Sequence, residues 1–337
     1  MTQLYDLSKY DHVDDFLRGL GIEYANWSRK LMTKAALDRG LEVRKVESQR
    51  PIIISDGRNE YTWRGGNTTF NHDLARRLSN RKDATSKLLR SYGFSFPEGA
   101  LFTSEESVKA WEWAQKLLPV VVKLNDGNQG RQVFVGIETR ADFEQAFARV
   151  GEQSQWVVVE EMLPGTEHRC LVVNNKLVAV TRRRAASVVG DGNKTIAELV
   201  EEKNIDRGPI HIPLDLGATE LDVLHSRGQS PDTVPHEGER VYLRRTSNIH
   251  TGGDAIDATD SLSRQEVSHI ERLSRRFPGL RLGGFDVLLP RGPGEEGIHF
   301  IEINQAPMIS MHHFPWEGEP RDVAGAIVDA MFPETAR

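Results

Sequence analysis

Between residues 105 and 181 the chain alternates short β-branched runs with segments of helical period, and this pattern restricts its folding more than any other feature. Val120 to Lys123, Val133 to Ile137, Trp156 to Glu161, Cys170 to Val173 and Leu177 to Thr181 have the length and composition of strands. Glu105 to Leu117 and Ala141 to Val150 have the spacing of helices between them. The expected class is therefore α+β, a mixed layering of sheet and helix. Before this stretch, a helix from Trp27 to Arg39 with Gly40 to end it, strands at Leu41 to Val43, Pro51 to Ile54 and Tyr61 to Trp63, and a helix from Arg81 to Tyr92 make the first eighty residues a small α/β lobe. After it, Thr195 caps a short helix, a strand runs from Val241 to Arg244, and a helix runs from Arg264 to Phe277. Strands at Phe285 to Leu289 and His299 to Asn304 and a closing helix at Val323 to Met331 complete the reading. Asn204 to Glu239 shows no sustained period and many turn formers, which predicts a mobile loop there.

At 337 residues the chain has room for two or three packed lobes, given about 150 residues per domain. A net charge of −6 sets nucleic acid aside as the main partner, because phosphate-backbone binding needs excess Lys and Arg. Arg182-Arg183-Arg184 is the exception, and strand alternation turns Arg183 to the opposite face from its neighbours. No apolar stretch approaches the roughly 20 residues of a membrane span, and no signal peptide opens the chain, so a soluble cytoplasmic protein is expected. Cys170 is the only cysteine, which leaves no intramolecular disulfide or thiolate zinc cluster; it reads as a small core residue.

Three motifs carry chemistry. Val120 to Lys123 runs into the polar loop Asp126-Gly127-Asn128-Gln129-Gly130-Arg131, whose glycines let backbone amides approach a phosphate while Lys123 adds a point charge. Alone, this loop reads equally as an exposed hairpin turn, since it has neither the Walker nor the dinucleotide pattern. Next, Trp156 to Glu161 ends in paired carboxylates, Glu160 and Glu161, before Met162-Leu163-Pro164-Gly165. That connection suits an adenine edge, with Glu167 available to ribose hydroxyls, though an ordinary strand end fits as well. Finally, Asp286 sits in Phe285-Asp286-Val287, and Glu302 and Asn304 stand two apart in Phe300 to Asn304. Glu302 and Asn304 share one face, and Asp286 on an adjacent strand could complete an all-oxygen set suited to magnesium, with acids on the exposed face of a sheet as the other reading.

Taken in order, these pieces resemble an ATP-grasp ligase, and most closely the glutathione-synthetase-like module and the cyanophycin synthetase ATP-grasp domain. The resemblance runs from about Trp27 to Pro333 and rests on Lys82 to Gly99, Val121 to Val135, Val158 to Val180, Gly190-Asp191-Gly192, Val241 to Arg244, Asn248 to Asp257, Gly284 to Val287 and Ile301 to Pro307. It implies an ATP-grasp fold with a pre-ATP-grasp lobe over residues 1–80, a small subdomain over 81–180 with nucleotide loop and hinge, and a subdomain over 181–337 with metal and acceptor sites. Two subdomains would clamp ATP. It also implies that Lys82 and Lys123 hold the phosphates under a loop containing Asp126, Gly127, Asn128 and Gly130, and that the backbone of Glu161 and Leu163 pairs with adenine beside Glu160. Glu167 would hold the ribose, and Asp286, Glu302 and Asn304 would bind two magnesium ions, with manganese able to substitute. Three departures stand out: Leu124 where a Pro often follows the Lys, Arg131-Gln132 for a common Lys-Gly, and Gly284 where some relatives place an Arg.

The activity so implied is ATP-dependent amide or peptide bond formation through an acyl phosphate, between an amino-acid or peptide carboxylate and an amine. Arg183, Arg244 and Arg169 are the candidates to hold the oxyanion. Asn248, Thr251, Gly252 and His312 are expected to line the acceptor side, with 204–239 as a lid. The partners are small amino-acid or peptide substrates, and a homodimer is a further expectation. Two other readings stay open at this point: a nucleotide-binding regulatory protein, and an ATP-dependent kinase of a small carboxylate.

Overall fold

The structure, a computed structural model, describes residues 5–46, 51–125 and 132–336. They divide into two discontinuous units: 1–76, 168–285 and 304–337 in the first, and 77–167 with 286–303 in the second.

In the first unit, strands Glu42–Lys45, Ile52–Ser55, Glu60–Arg64 and Asn67–Thr68 form an antiparallel meander. Its inner residues Ile52, Ile54 and Trp63 are fully buried beside Met32 of helix Trp27–Leu37 and Ile327 of helix Val323–Met331. Helix Trp27–Leu37 begins where Asn26 accepts the Arg29 amide, and Gly40 takes the positive φ that lets the chain leave it. A second sheet in this unit pairs Asp254–Asp257 with Lys176–Arg184, and the latter with His168 to Val173. Cys170 lies buried in it, in line with its apolar neighbours.

One expectation needs correction. The stretch predicted as a formless loop contains helix Ala218–His225, and Leu214, Leu224, Val241 and Leu243 join Ile196 and Val200 in a buried cluster. The segment is laced by backbone hydrogen bonds from Ile196 to Thr233 and from Ala197 to Pro231. The sequence shows no period because this helix is short and much of the surrounding chain is held by backbone and turn contacts rather than by one amphipathic face. By contrast, the cap at Thr195 is the expected one, a full capping box with Glu198.

The second unit is built on a four-stranded antiparallel sheet ordered Gly99–Thr103, Trp156–Glu161, Val120–Leu124, Val133–Ile137. Val120, Val122, Val157 and Val159 turn to one face, where Phe143 and Phe147 of helix Arg140–Gly151 and Ala110 of helix Ser107–Ala114 cover them. Burying one face this way fixes what the other face must show, because the side-chain period of a strand is two. The rest of the unit holds helix Lys82–Ser91, the end of strand Leu282–Leu289, and most of strand His299–Asn304. Gly99–Thr103 and helix Ala218–His225 are elements that the sequence pattern did not announce.

Candidate active site

On the face of the second unit's sheet away from helices Arg140–Gly151 and Ser107–Ala114, Lys123 stands opposite Val158 and Glu160 stands opposite Val121. Lys123 and Glu160 are therefore diagonal neighbours on one face, and their side chains form an ion pair. Both are largely buried, at 9% and 16% side-chain exposure, so the pair is poorly screened. Room for it comes from Gly99, the cross-strand partner of Glu160: a Cβ there would lie 2.7 Å from the Glu160 Cγ.

The end of strand Trp156–Glu161 is tied to Glu98. The Glu161 amide donates to the Glu98 carbonyl at 2.9 Å, and the Glu161 carboxylate accepts from the Glu98 amide at 2.7 Å. Its N–H is thus committed, and the carbonyl is what Glu161 has to offer a ligand edge. The loop residues Asp126, Gly127, Asn128 and Gly130 lie outside the described residues.

Lys82 opens helix Lys82–Ser91, and its ammonium lies 3.6 Å from the Glu302 carboxylate. The chain after that helix explains the approach. Phe94 meets Phe300 edge-on at 5.9 Å, Phe96 stacks on it at 5.7 Å, and the Phe300 amide donates to the Ser95 carbonyl. Ser95 also bonds the His299 imidazole at 2.7 Å. These contacts pin strand His299–Asn304 alongside the segment that Lys82 introduces, two residues before Glu302. In the adjoining strand, Asp286 is buried at 6% exposure.

Glu302 and Asn304 lie two apart on one strand, as the sequence predicts. The Asn304 amide oxygen accepts from the Ala306 N–H at 2.9 Å, which orients it and uses one of its two lone pairs. Two carboxylates and an amide oxygen are a hard, all-oxygen donor set, the chemistry magnesium prefers, so these residues fit the ion the sequence suggests. Among the described residues no cluster of three or more His, Cys, Asp or Glu forms a separate metal centre.

The remaining candidates fall in the first unit. Arg169 is buried at 7% exposure, and Gly284 lies against it: a Cβ at 284 would sit 3.1 Å from the Arg169 Cδ and 2.9 Å from Pro307. Gly284 thus leaves space that Arg169 fills, a physical reason for its departure from relatives that carry an Arg there. Arg244 is clamped by the buried carboxylate of Glu220, a partner that no pattern in the chain announces. Arg183 is half-buried, while Arg184 on the other face meets Asp254 at 3.1 Å and also pairs with Glu317. Asn248 caps the turn Ile249–Thr251, and the Thr251 hydroxyl donates to the Asn248 carbonyl at 3.0 Å. Gly252 takes φ +92°, and its carbonyl accepts from Arg207 at 2.8 Å. The His312 Nδ1 shares a hydrogen bond with Thr181 at 2.9 Å, while its buried Nε2 finds no partner among the described residues. Burial, with Arg169 adding to it, pushes the His312 imidazole down to about 3, so it is neutral near pH 7.

Behind this loop lies a cluster that sequence reading missed altogether. Fully buried Asp254 receives Arg207 at 2.7 Å, Lys203 at 2.8 Å and Arg184 at 3.1 Å. Burial disfavours the charged form of each partner. It pushes Lys203 down to about 8 against the pull of Asp254, while the surrounding cations outweigh it at Asp254 and hold that carboxyl below its ordinary range.

Residues 79–212 match the RimK-like ATP-grasp domain. Along nearly the whole chain it is similar to the cyanophycin synthetase of Trichormus variabilis, 33% identical over 316 residues that cover 91% of this chain and 35% of that protein. It is also 30% identical to the glutathione biosynthesis bifunctional protein GshAB of Listeria innocua, over 93% of this chain and 42% of that one. The chain thus spans between a third and a half of the length of these relatives. A bifunctional glutathione synthetase from Pasteurella multocida has a crystal structure similar to this one, with TM-score 0.66 and 29% identity over 90% of this chain and 44% of that chain. A D-alanine–D-alanine ligase from Bacillus anthracis shares the fold at TM-score 0.50 and 15% identity, over 79% of this chain and 70% of that one. No helix among the described residues is long and apolar enough to cross a membrane.

Proposed function

Because this chain carries a RimK-like ATP-grasp domain and has the ATP-grasp fold, we propose that it is an ATP-dependent ligase joining an amino-acid or peptide carboxylate to an amine. The observation that carries the reading is the approach of Lys82 to Glu302 at 3.6 Å. Phosphoryl transfer is governed by placement and charge neutralisation, and a phosphate-holding cation beside a metal-binding carboxylate is what it demands.

A carboxylate is a poor acyl donor because oxide is a poor leaving group. Moving the terminal phosphoryl group of ATP onto one carboxylate oxygen makes an acyl phosphate, whose leaving group is phosphate. Lys82 and Lys123 hold the phosphate oxygens in this reading, and Lys123 does so by turning its charge from Glu160 toward the nucleotide. Glu160 holds that ammonium in place while the site waits. The Glu161 carbonyl and the Leu163 amide meet the adenine edge, and Glu167 meets the ribose. Asp286, Glu302 and Asn304 would hold magnesium, which would supply charge neutralisation for the phosphates. The amine then attacks the acyl carbon, and the oxyanion that develops needs fixed positive charge nearby. Arg183, Arg244 and Arg169 are the residues for that duty, with Glu220 positioning Arg244. Asn248, Thr251, Gly252 and neutral His312 line the acceptor side. The lobes at 1–80, 81–180 and 181–337 are the functional parts we assign, and the reducing cytoplasm is the setting that suits a lone buried Cys170.

The test is a screen of amino acids and short peptides in pairs, read by phosphate release. Turnover that requires an acid and an amine together supports the assignment. Loss of turnover in Glu302→Ala and Asn304→Ala supports the metal set, and intact turnover in both removes it.

A further inference from the structure

The first unit contains a cavity of about 980 Å³ that none of these roles uses. That volume lies at the top of the usual range of roughly 300–1,000 Å³ for small-molecule sites, more than one amino acid needs. Three arginines line it, Arg64, Arg76 and Arg281, against one carboxylate, Asp73. A positive recess on a chain of net charge −6 is a local reversal of sign, and recesses focus such fields. Asp73 is engaged with Arg76 at 2.7 Å. The Arg281 guanidinium lies over the Phe70 ring, 5.4 Å from its centroid, which orients its plane while its N–H edge can serve a ligand. Arg64 is exposed at the end of its strand.

The floor of the cavity is built rather than incidental. Buried Asn71 donates to the carbonyls of Leu282 at 2.8 Å and Gln305 at 3.1 Å, and accepts from the amides of Arg281 and Leu282, both at 2.8 Å. The Gln305 side chain donates to Asn67 at 2.7 Å. At Gly66 a Cβ would come within 2.7 Å of the Ala306 carbonyl carbon, so the hairpin turn sits directly on the backbone that follows Asn304. The same segment therefore closes the recess and carries one of the residues assigned to magnesium.

We propose that this cavity binds an acidic peptide of two or three residues through its carboxylates. Guanidinium forks take carboxylate and phosphate alike, but Tyr61 and Phe70 in the lining favour a ligand with carbon chain between its charges. The inference deepens the ligase reading and rests on it only in calling that peptide a substrate.

Calorimetric titration of the full chain without nucleotide tests it, with triglutamate as probe and trilysine and inorganic phosphate alongside. Triglutamate binds and weakens as salt rises, trilysine does not bind, and phosphate binds about tenfold more weakly than triglutamate. Arg64→Glu and Arg281→Glu each reduce triglutamate affinity about tenfold or more. Arg64 is exposed, so its variant keeps the parent melting temperature and reads binding alone. Absence of triglutamate binding, parent-like triglutamate affinity in both variants, or phosphate matching triglutamate overturns the proposal. Acid- and amine-dependent turnover with no triglutamate binding sinks only the cavity assignment, whereas triglutamate binding with no such turnover sinks only the ligase reading.

Discussion

Two clusters of buried charge in this molecule look alike on paper and differ in composition. Lys123 and Glu160 are one cation and one anion on one face of a sheet, at 9% and 16% exposure. Asp254 is one anion, wholly buried, facing three cations of which Arg207 is 3% exposed. The first is balanced and adjoins a strand end, so an incoming phosphate can share the lysine without leaving a charge stranded. The second is over-supplied with positive charge, and every partner is also a strut: Arg207 reaches the Gly252 carbonyl and Lys203 the Ser187 carbonyl at 2.8 Å each. A buried pair is weak evidence for stability in itself, but removing one member of a network leaves its partners uncompensated. The first cluster should therefore report on activity and the second on folding.

The largest effect should come from the over-supplied side. Asp254→Ala leaves three cations without their shared partner and is expected to cost about 3–5 kcal/mol, seen as a lowered midpoint in urea unfolding. A shift below about 1 kcal/mol would erase the distinction. On the balanced side, Lys123→Ala should cut nucleotide turnover by about 100-fold or more while moving the unfolding midpoint far less than Asp254→Ala does. Equal loss of stability in the two variants would mean that both clusters are scaffold.

Acid sharpens the contrast. His211 accepts from the Ala255 amide beside the Asp254 cluster, and burial, with Arg207 adding to it, pushes it down to about 4. Its native pKa lies below its unfolded one, so its stabilising contribution is whole above about pH 6.5 and is lost as pH falls toward 4. At pH 5.5 the expected loss is about 1 kcal/mol, and His211→Gln should flatten that part of a stability profile. The smallest effect is on the other side: Gly99→Ala crowds Glu160, misplaces Lys123, and should lower turnover about three- to tenfold with the fold intact.

What could be read in the sequence follows the same division. The strands around Lys123 and Glu160 were legible because unbroken β-branched runs of strand length lead into them, and Glu302 because Ile301 and Ile303 frame it, with Asn304 two residues on. Strand Gly99–Thr103 was not, since its first two residues, Gly99 and Ala100, are poor strand formers. Asp254 gave no sign of its three partners, which come from residues 184, 203 and 207 by folding alone. Arg244 was visible as a charge, but its clamp Glu220 lay in a stretch with no period, where packing and backbone hydrogen bonds supply order that patterning does not encode. The family resemblance named the candidate residues; the structure adds which of them are already tied to a carboxylate, as Arg244 is to Glu220.

The central claim is that the chain moves phosphate from ATP onto a carboxylate before any amine attacks. Hydroxylamine trapping tests it most directly: the chain is incubated with ATP, magnesium and the acid that supports turnover, with hydroxylamine in place of the amine. Formation of the hydroxamate of that acid, matched by release of ADP and lost in Glu302→Ala, is the predicted result. ADP released without hydroxamate, or a stable phosphorylated acid that hydroxylamine leaves untouched, would contradict it.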